Sequence, residues 1–219
     1  ALLAVPQLWF LPPEAPDPDL RCLSPQERLW GEPLPQARRT LYWRSRALMR
    51  QRLAPLLQMP PEQVPLDSPP GRAPLLAAGC GWVSLSHAAA GVLVGWSPQR
   101  LGIDLESAGR RFDAASLLQR FFPELEQRQL GGLAAEPLRL AVLRSWLAKE
   151  AAIKCRHRTL AQELVHWWFD HAEGVLRHQR DGTVQQPSEG SLGPWRWACV
   201  SDGDERVGTA PLTWPFHDG

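Results

Sequence analysis

The fold is decided by one stretch, Trp82-Val83-Ser84-Leu85-Ser86-His87-Ala88-Ala89-Ala90-Gly91-Val92-Leu93-Val94-Gly95-Trp96-Ser97-Pro98-Gln99-Arg100-Leu101-Gly102-Ile103-Asp104-Leu105-Glu106. Three runs rich in apolar and β-branched residues, Trp82–His87, Gly91–Trp96 and Leu101–Glu106, are separated only by turn-sized breaks. Ala88-Ala89-Ala90 joins the first two as a hairpin, and Ser97-Pro98-Gln99-Arg100 turns the chain into the third. Strands this close together pair antiparallel, because a parallel crossover needs a dozen or more residues.

Helical patterns flank this stretch. Ser24-Pro25-Gln26-Glu27 carries a capping hydroxyl, a proline in the first turn and an acid three positions after the serine, the signature of a helix start. Leu41, Leu48, Met49, Leu53, Leu56 and Leu57 recur at helical spacing and predict a helix from Gln36 to about Leu57. Phe112–Leu133 reads as helical, broken at Pro123 and closed by Gly131-Gly132, and a strong helix runs from Leu138 to about Cys155. Gln7–Leu11 reads as an edge strand, Val64–Pro74 as a linker, and Leu164–Phe169, Gly174–Gln179 and Trp195–Val200 as further strands. Antiparallel strands mixed with helices, without regular β-α-β alternation, make the class α+β.

Composition removes several functions. With 24 Lys+Arg against 23 Asp+Glu the net charge is +1, too balanced for a general nucleic-acid binder. No apolar run approaches the ~18–20 residues of a membrane helix, and the apolar Ala1–Leu11, with no basic leader and with a proline inside it, is a poor signal peptide. Cys22, Cys80, Cys155 and Cys199 lie far apart with no C-x-x-C pair, which fits free thiols in a reducing cytoplasm better than zinc or a disulfide framework.

The basic residues are unevenly chosen. Of the 24, the only lysines are Lys149 and Lys154, on either side of Glu150; the rest are arginine. Six of those arginines (38, 39, 44, 46, 50 and 52) lie on the Gln36–Leu57 helix with no acid between Gln36 and Met59, a cationic face that is either solvated or suited to an anionic ligand. In the strand Leu101–Glu106, Asp104 and Glu106 project from one face. Adjacent carboxylates repel unless they are solvated, paired with cations or holding a metal, and an all-oxygen set favours Mg²⁺ first, then Mn²⁺ or Ca²⁺. Trp146, Glu150 and Lys154 are four apart and share one helix face. Lys149 sits about 140° around the helix from Lys154.

Taken in order, Ser86-His87, Gly102-Ile103-Asp104-Leu105-Glu106 and Trp146-x-x-Lys149-Glu150-Ala151-x-x-Lys154 resemble the signature of the Sfp-type 4′-phosphopantetheinyl transferases. The resemblance extends more loosely to the arginine-rich helix, to Gly71-Arg72 and to Arg120-Phe121-Phe122-Pro123-Glu124. It implies two similar α+β halves about a pseudo-twofold axis with the active-site cleft between them: residues 1–100 on the coenzyme A side and 101–219 carrying the acids, with the boundary near Ser97–Leu101. It implies transfer of the phosphopantetheine arm of coenzyme A to a serine of an acyl or peptidyl carrier protein, with release of 3′,5′-ADP, by a cytoplasmic monomer.

By that resemblance Asp104, Glu106 and Glu150 hold Mg²⁺, with Mn²⁺ as a substitute. Glu150 also serves as general base, directly or through a water, and Lys154 contacts the phosphate being attacked. Ser86 and His87 take the 3′-phosphate of coenzyme A. Arg39 first, with Arg46 or Arg50 nearby, together with Arg72, supply further positive charge, and Lys149 bonds a neighbour of the metal or assists the base. Arg72 departs from the family's Gly-Lys-Pro, the run here being Gly71-Arg72-Ala73-Pro74. Because carrier proteins are acidic around the modified serine, the arginine helix and Arg110, Arg111, Arg120, Phe121 and Phe122 are candidate docking surfaces. Two other readings remain: a module of this kind that binds coenzyme A or a carrier and transfers nothing, and an unrelated Mg²⁺-dependent phosphotransferase. The chain has no G-x-x-x-x-G-K phosphate loop.

Overall fold

A computed structural model describes residues 5–203 and 211–213, so most of the apolar tail 209–219 and residues 1–4 of the N-terminal stretch lie outside the described residues. Strand β1 (Gln7–Leu11) is followed by helices α1 (Pro25–Gly31) and α2 (Gln36–Leu57), a short β2 (Leu66–Asp67) and β3 (Leu75–Leu76), and then β4 (Trp82–Ala88), β5 (Gly91–Ser97) and β6 (Leu101–Ser107). Helices α3 (Ala114–Phe121), α4 (Glu124–Leu130), α5 (Ala135–Cys155) and α6 (Leu160–Glu163) come next. Strands β7 (Trp167–Asp170), β8 (Val175–His178), β9 (Val184–Gln185), β10 (Ser188–Leu192), β11 (Trp195–Ser201) and β12 (Leu212–Thr213) complete the order. The class is α+β.

The local rules explain much of this. Ser24 caps α1 with a complete capping box: its hydroxyl accepts from Glu27 N at 3.2 Å while the Glu27 carboxylate accepts from Ser24 N at 2.9 Å. Pro123 separates α3 from α4. Helix α5 starts at Ala135, three residues earlier than the sequence indicates, because Pro137 falls in the first turn, where its missing N–H costs nothing. Leu164–His166 forms a 3-10 turn and the strand begins only at Trp167.

Two sheets carry the architecture, antiparallel throughout except where β12 joins β1. One has the order β12-β1-β5-β4 and the other β10-β11-β6. β1 is therefore not an edge strand: β12 adds to it in parallel, and Leu8–Leu11 are all buried. The linker Val64–Pro74 contains β2, which pairs with β3. Helix α2 covers the first sheet, with Leu48, Met49 and Leu53 against Trp9, Leu11, Val92, Val94 and Trp96. Helix α5 covers the second sheet, with Ala148, Ala151, Ala152 and Ile153 packed among Ala198, Val200 and the Trp167 and Phe169 side chains of β7. A third apolar cluster joins Leu8, Phe10 and Leu93 of the first sheet to Leu101, Ile103, Leu105, Trp197 and Cys199 of the second.

β4 and β6 meet along the boundary without sharing a sheet. The contact is made by side chains: Ser84 Oγ accepts from Ile103 N at 3.2 Å and Ser86 Oγ from Leu105 N at 3.1 Å. These serines are two residues apart on β4, so one face of the strand supplies both bonds. On its outer side β6 lies against α5 at Gly102, where a Cβ would stand 2.0 Å from Ala151 O and 2.3 Å from Cys155 N. Only glycine permits that approach. Gly102→Ala is expected to drive β6 and α5 apart and to destabilise the chain by about 3 kcal/mol or more, the upper end for overpacking; urea unfolding beside the parent measures it, and a loss below about 1 kcal/mol contradicts the packing described.

Candidate active site

The approach at Gly102 brings the C-terminal half of α5 over the end of β6. Asp104, buried, accepts at Oδ1 from Ser86 Oγ at 2.8 Å and from the Lys154 ammonium at 2.6 Å. The same ammonium lies 3.5 Å from the carboxylate of Glu150, one turn earlier on α5, and 3.4 Å from Ser86 Oγ. Glu106, two residues beyond Asp104 on β6, is paired with Arg110. A cleft of about 820 Å³ opens here, within the usual range for small-molecule sites. Its wall includes Arg46, Arg72, Ser86, His87, Asp104, Glu106, Glu150 and Lys154, so most residues singled out from the sequence face one space.

The charges in the cleft are interdependent. Burial, then the neighbouring Asp104 carboxylate, raises Glu150 to about 7 against the pull of Lys154. Burial and Asp104 likewise raise Glu106, with Arg110 opposing. Burial disfavours the Lys154 ammonium, but Asp104 and Glu150 outweigh it and the group titrates above its ordinary value. His87 is lowered by burial and by the nearby Lys154 and Arg46 cations, so in the ligand-free cleft its imidazole is neutral at physiological pH and offers a hydrogen bond, not a charge.

Two carboxylates around one ammonium, with a third beside them on the cleft wall, suit a hard divalent ion in donor chemistry. As they stand, no three metal-ligating side chains among the described residues are gathered closely enough to hold one. The reason is visible: the ammonium of Lys154 lies between Asp104 and Glu150, and Arg110 holds Glu106. Asp104, Glu106 and Glu150 would supply the ligands once those cations moved.

Ser86 lines the cleft wall and is at the same time bonded within the chain. It is buried and committed to Leu105 N and Asp104, and it acts as a clamp on the acid. Arg39 is not on the cleft wall: its guanidinium donates to Glu32 O at 3.3 Å and lies 5.5 Å from the Trp43 ring. Arg38, one residue earlier, lines the cleft instead. Arg46 is buried along one edge, donating to Ser68 O at 3.2 Å and stacking 4.1 Å from the Tyr42 ring.

The cationic face of α2 is also smaller than its sequence indicates. Arg44 pairs with Asp17 at 2.7 Å and Arg50 with the buried Glu27 at 2.6 Å. On the other side of the cleft, His157, Arg158 and Thr159 line the wall just past α5, with His157 held in the left-handed region at φ 53°. No sequence pattern marked these three.

Lys149 is likewise absent from the cleft wall. Its side chain is 0% exposed, bonded to the equally buried Glu126 at 2.5 Å and seated 3.4 Å from the centroid of Phe122. Glu126, which no motif marked, also accepts from Phe169 N at 3.3 Å, so it ties α4, α5 and β7 together. Burial pushes the Lys149 ammonium down, with Glu126 acting against it. A side chain so enclosed positions α5 and cannot touch a ligand in the cleft.

A model of the 4′-phosphopantetheinyl transferase superfamily matches residues 100–210, just over half of the chain. The chain belongs to that superfamily. The matched stretch contains Asp104, Glu106, Glu150 and Lys154, whereas Arg72, Ser86 and His87 lie before it. No curated protein matches the chain. Membership makes it a transferase of the phosphopantetheinyl kind.

For Lys149, Glu126→Gln is expected to strand a buried ammonium and cost about 3 kcal/mol. The double variant Glu126→Gln with Lys149→Met removes the charge as well and is expected to recover most of that loss. Urea unfolding of the three chains checks this; a double variant no more stable than Glu126→Gln alone contradicts a purely packed pair.

Proposed function

We propose that this chain moves the 4′-phosphopantetheine arm of coenzyme A onto a serine hydroxyl of an acyl or peptidyl carrier protein, with Mg²⁺ bound, and releases 3′,5′-ADP. One observation carries the reading: in a chain of this superfamily, three carboxylates and a lysine converge on one cleft where β4, β6 and α5 meet. Acids flanked by a cation suit a pyrophosphate, whose charge must be neutralised on both bridging phosphates for the P–O bond to break.

In this reading the serine oxygen attacks the phosphorus that carries the pantetheine arm, the pyrophosphate P–O bond breaks, and the electron pair leaves with 3′,5′-ADP. Asp104, Glu106 and Glu150 hold the Mg²⁺, which when bound draws charge from the phosphate oxygens. Glu150 suits the proton-accepting role by its place on the cleft wall, one turn before Lys154 on α5, from which it takes the serine proton directly or through a water. Lys154 turns from the acids to the attacked phosphate, within reach of both since it already spans Asp104 and Glu150. His87, Arg72, Arg46 and Arg38 line the part of the wall suited to the 3′-phosphate and nucleotide. Further support comes from the layout: residues before 100 place α2 on one sheet, and residues after 101 place α5 on another, which fits two halves with the site at their boundary. No helix of the described residues is long and apolar enough to cross a membrane, and all four cysteines are free.

The test is mass spectrometry of an apo carrier protein incubated with this chain, coenzyme A and Mg²⁺. A gain of about 340 Da on the carrier, abolished by EDTA and slowed at least about 100-fold by Glu150→Gln, is expected for a metal-dependent transfer with that base. No gain with several carriers, while coenzyme A still binds, replaces the enzyme with a binding module.

A further inference from the structure

Glu106 faces the cleft, yet its partner does not. The guanidinium of Arg110 donates to the Glu106 carboxylate, and Arg110 is absent from the cleft wall. β6 ends at Ser107 and the chain folds back at once, Arg110 N donating to Ser107 O at 3.1 Å. This turn is pinned from two sides. Ala108 N donates to Pro194 O at 2.7 Å, and Arg139 of α5 donates to Ala108 O at 2.8 Å and to Arg110 O at 2.9 Å. Arg139 is itself fixed by Glu136 at 2.8 and 2.7 Å. The backbone of Arg110 is therefore anchored by several bonds, while its half-exposed side chain is held by Glu106, with the guanidinium 5.9 Å from the Phe112 ring.

The two counterions of the acid set thus differ. Lys154 lies inside the cleft, where an incoming phosphate can take it over. Arg110 is not on the cleft wall and pairs with Glu106 from outside it. A divalent cation arriving at Glu106 meets a guanidinium already neutralising that carboxylate, and the two cations repel. We propose that Arg110 is a built-in competitor for the metal: it stabilises Glu106 in the metal-free chain, withdraws on its anchored turn when the cation binds, and so sets the metal affinity. This rests on the metal-dependent reading above.

The experiment follows free Mn²⁺ by electron paramagnetic resonance as the full chain is titrated in the presence of saturating coenzyme A and no carrier, so that no turnover occurs. Arg110→Gln is expected to bind Mn²⁺ about threefold more tightly, the size of a half-exposed ion pair. Arg110→Met, which keeps the aliphatic stem on Phe112, is expected to do the same and stands in if the first variant does not fold. Arg110→Lys keeps the charge and is expected to stay near the parent. Neutral variants that bind equally or more weakly, or a lysine variant that tightens as much as they do, overturn the proposal. If the parent itself takes up no Mn²⁺, the metal-dependent reading fails too. If the parent binds and Glu150→Gln does not, while the Arg110 variants match the parent, only the role of Arg110 falls.

Discussion

The site depends on the hydroxyl of Ser86. It accepts from Leu105 N on the neighbouring strand and donates to the Asp104 carboxylate, so one oxygen both joins the two sheets and aims the acid. β4 and β6 share no backbone ladder; Ser84 and Ser86 supply the connection along a line that has apolar residues behind it. A buried carboxylate without such partners would protonate or turn to water. With Ser86 and Lys154 on it, Asp104 stays in place below the solvent boundary and becomes the fixed point around which Glu106 and Glu150 are arranged.

The three carboxylates of the cleft face two protein cations. Lys154 serves Asp104 and Glu150, and Arg110 serves Glu106. The remaining strain appears at Glu150, whose proton affinity is raised because burial and a neighbouring carboxylate outweigh one shared ammonium. In the proposed reaction an incoming divalent ion would take the acids and an incoming phosphate the lysine. Lys149, by contrast, is spent on the interior: it and Glu126 hold α4, α5 and β7 in register, which fixes the helix that presents Glu150 and Lys154.

Much of this was legible in the residues. The alternation in Leu101–Glu106 and the four-residue spacing of Glu150 and Lys154 put the right side chains on the right faces, because period 2 and period 3.6 are local properties. What escaped is what depends on partners distant in the chain. The six arginines of α2 look equivalent in sequence; Asp17, Glu27 and the carbonyls after Ser68 decide which are consumed internally. Arg38 lines the cleft and Arg39 does not, because one residue is a 100° rotation and Arg39 lies over Trp43. That the Ser86 hydroxyl is also bonded to β6 could not be read, because hydrogen bonds to another strand's backbone leave no trace in composition. Gln7–Leu11 read as an edge because its parallel partner, Leu212–Thr213, arrives from the far end of the chain.

The central claim is that the three acids exchange protein cations for one metal. A crystal structure with coenzyme A and Mg²⁺ tests it most directly. The account predicts oxygens of Asp104, Glu106 and Glu150 at about 2.1 Å from a single Mg²⁺, with Lys154 moved onto a phosphate oxygen and Ser86 still bonded to Leu105 N. Coenzyme A bound with Lys154 still between Asp104 and Glu150, and with no metal on the carboxylates, would contradict it.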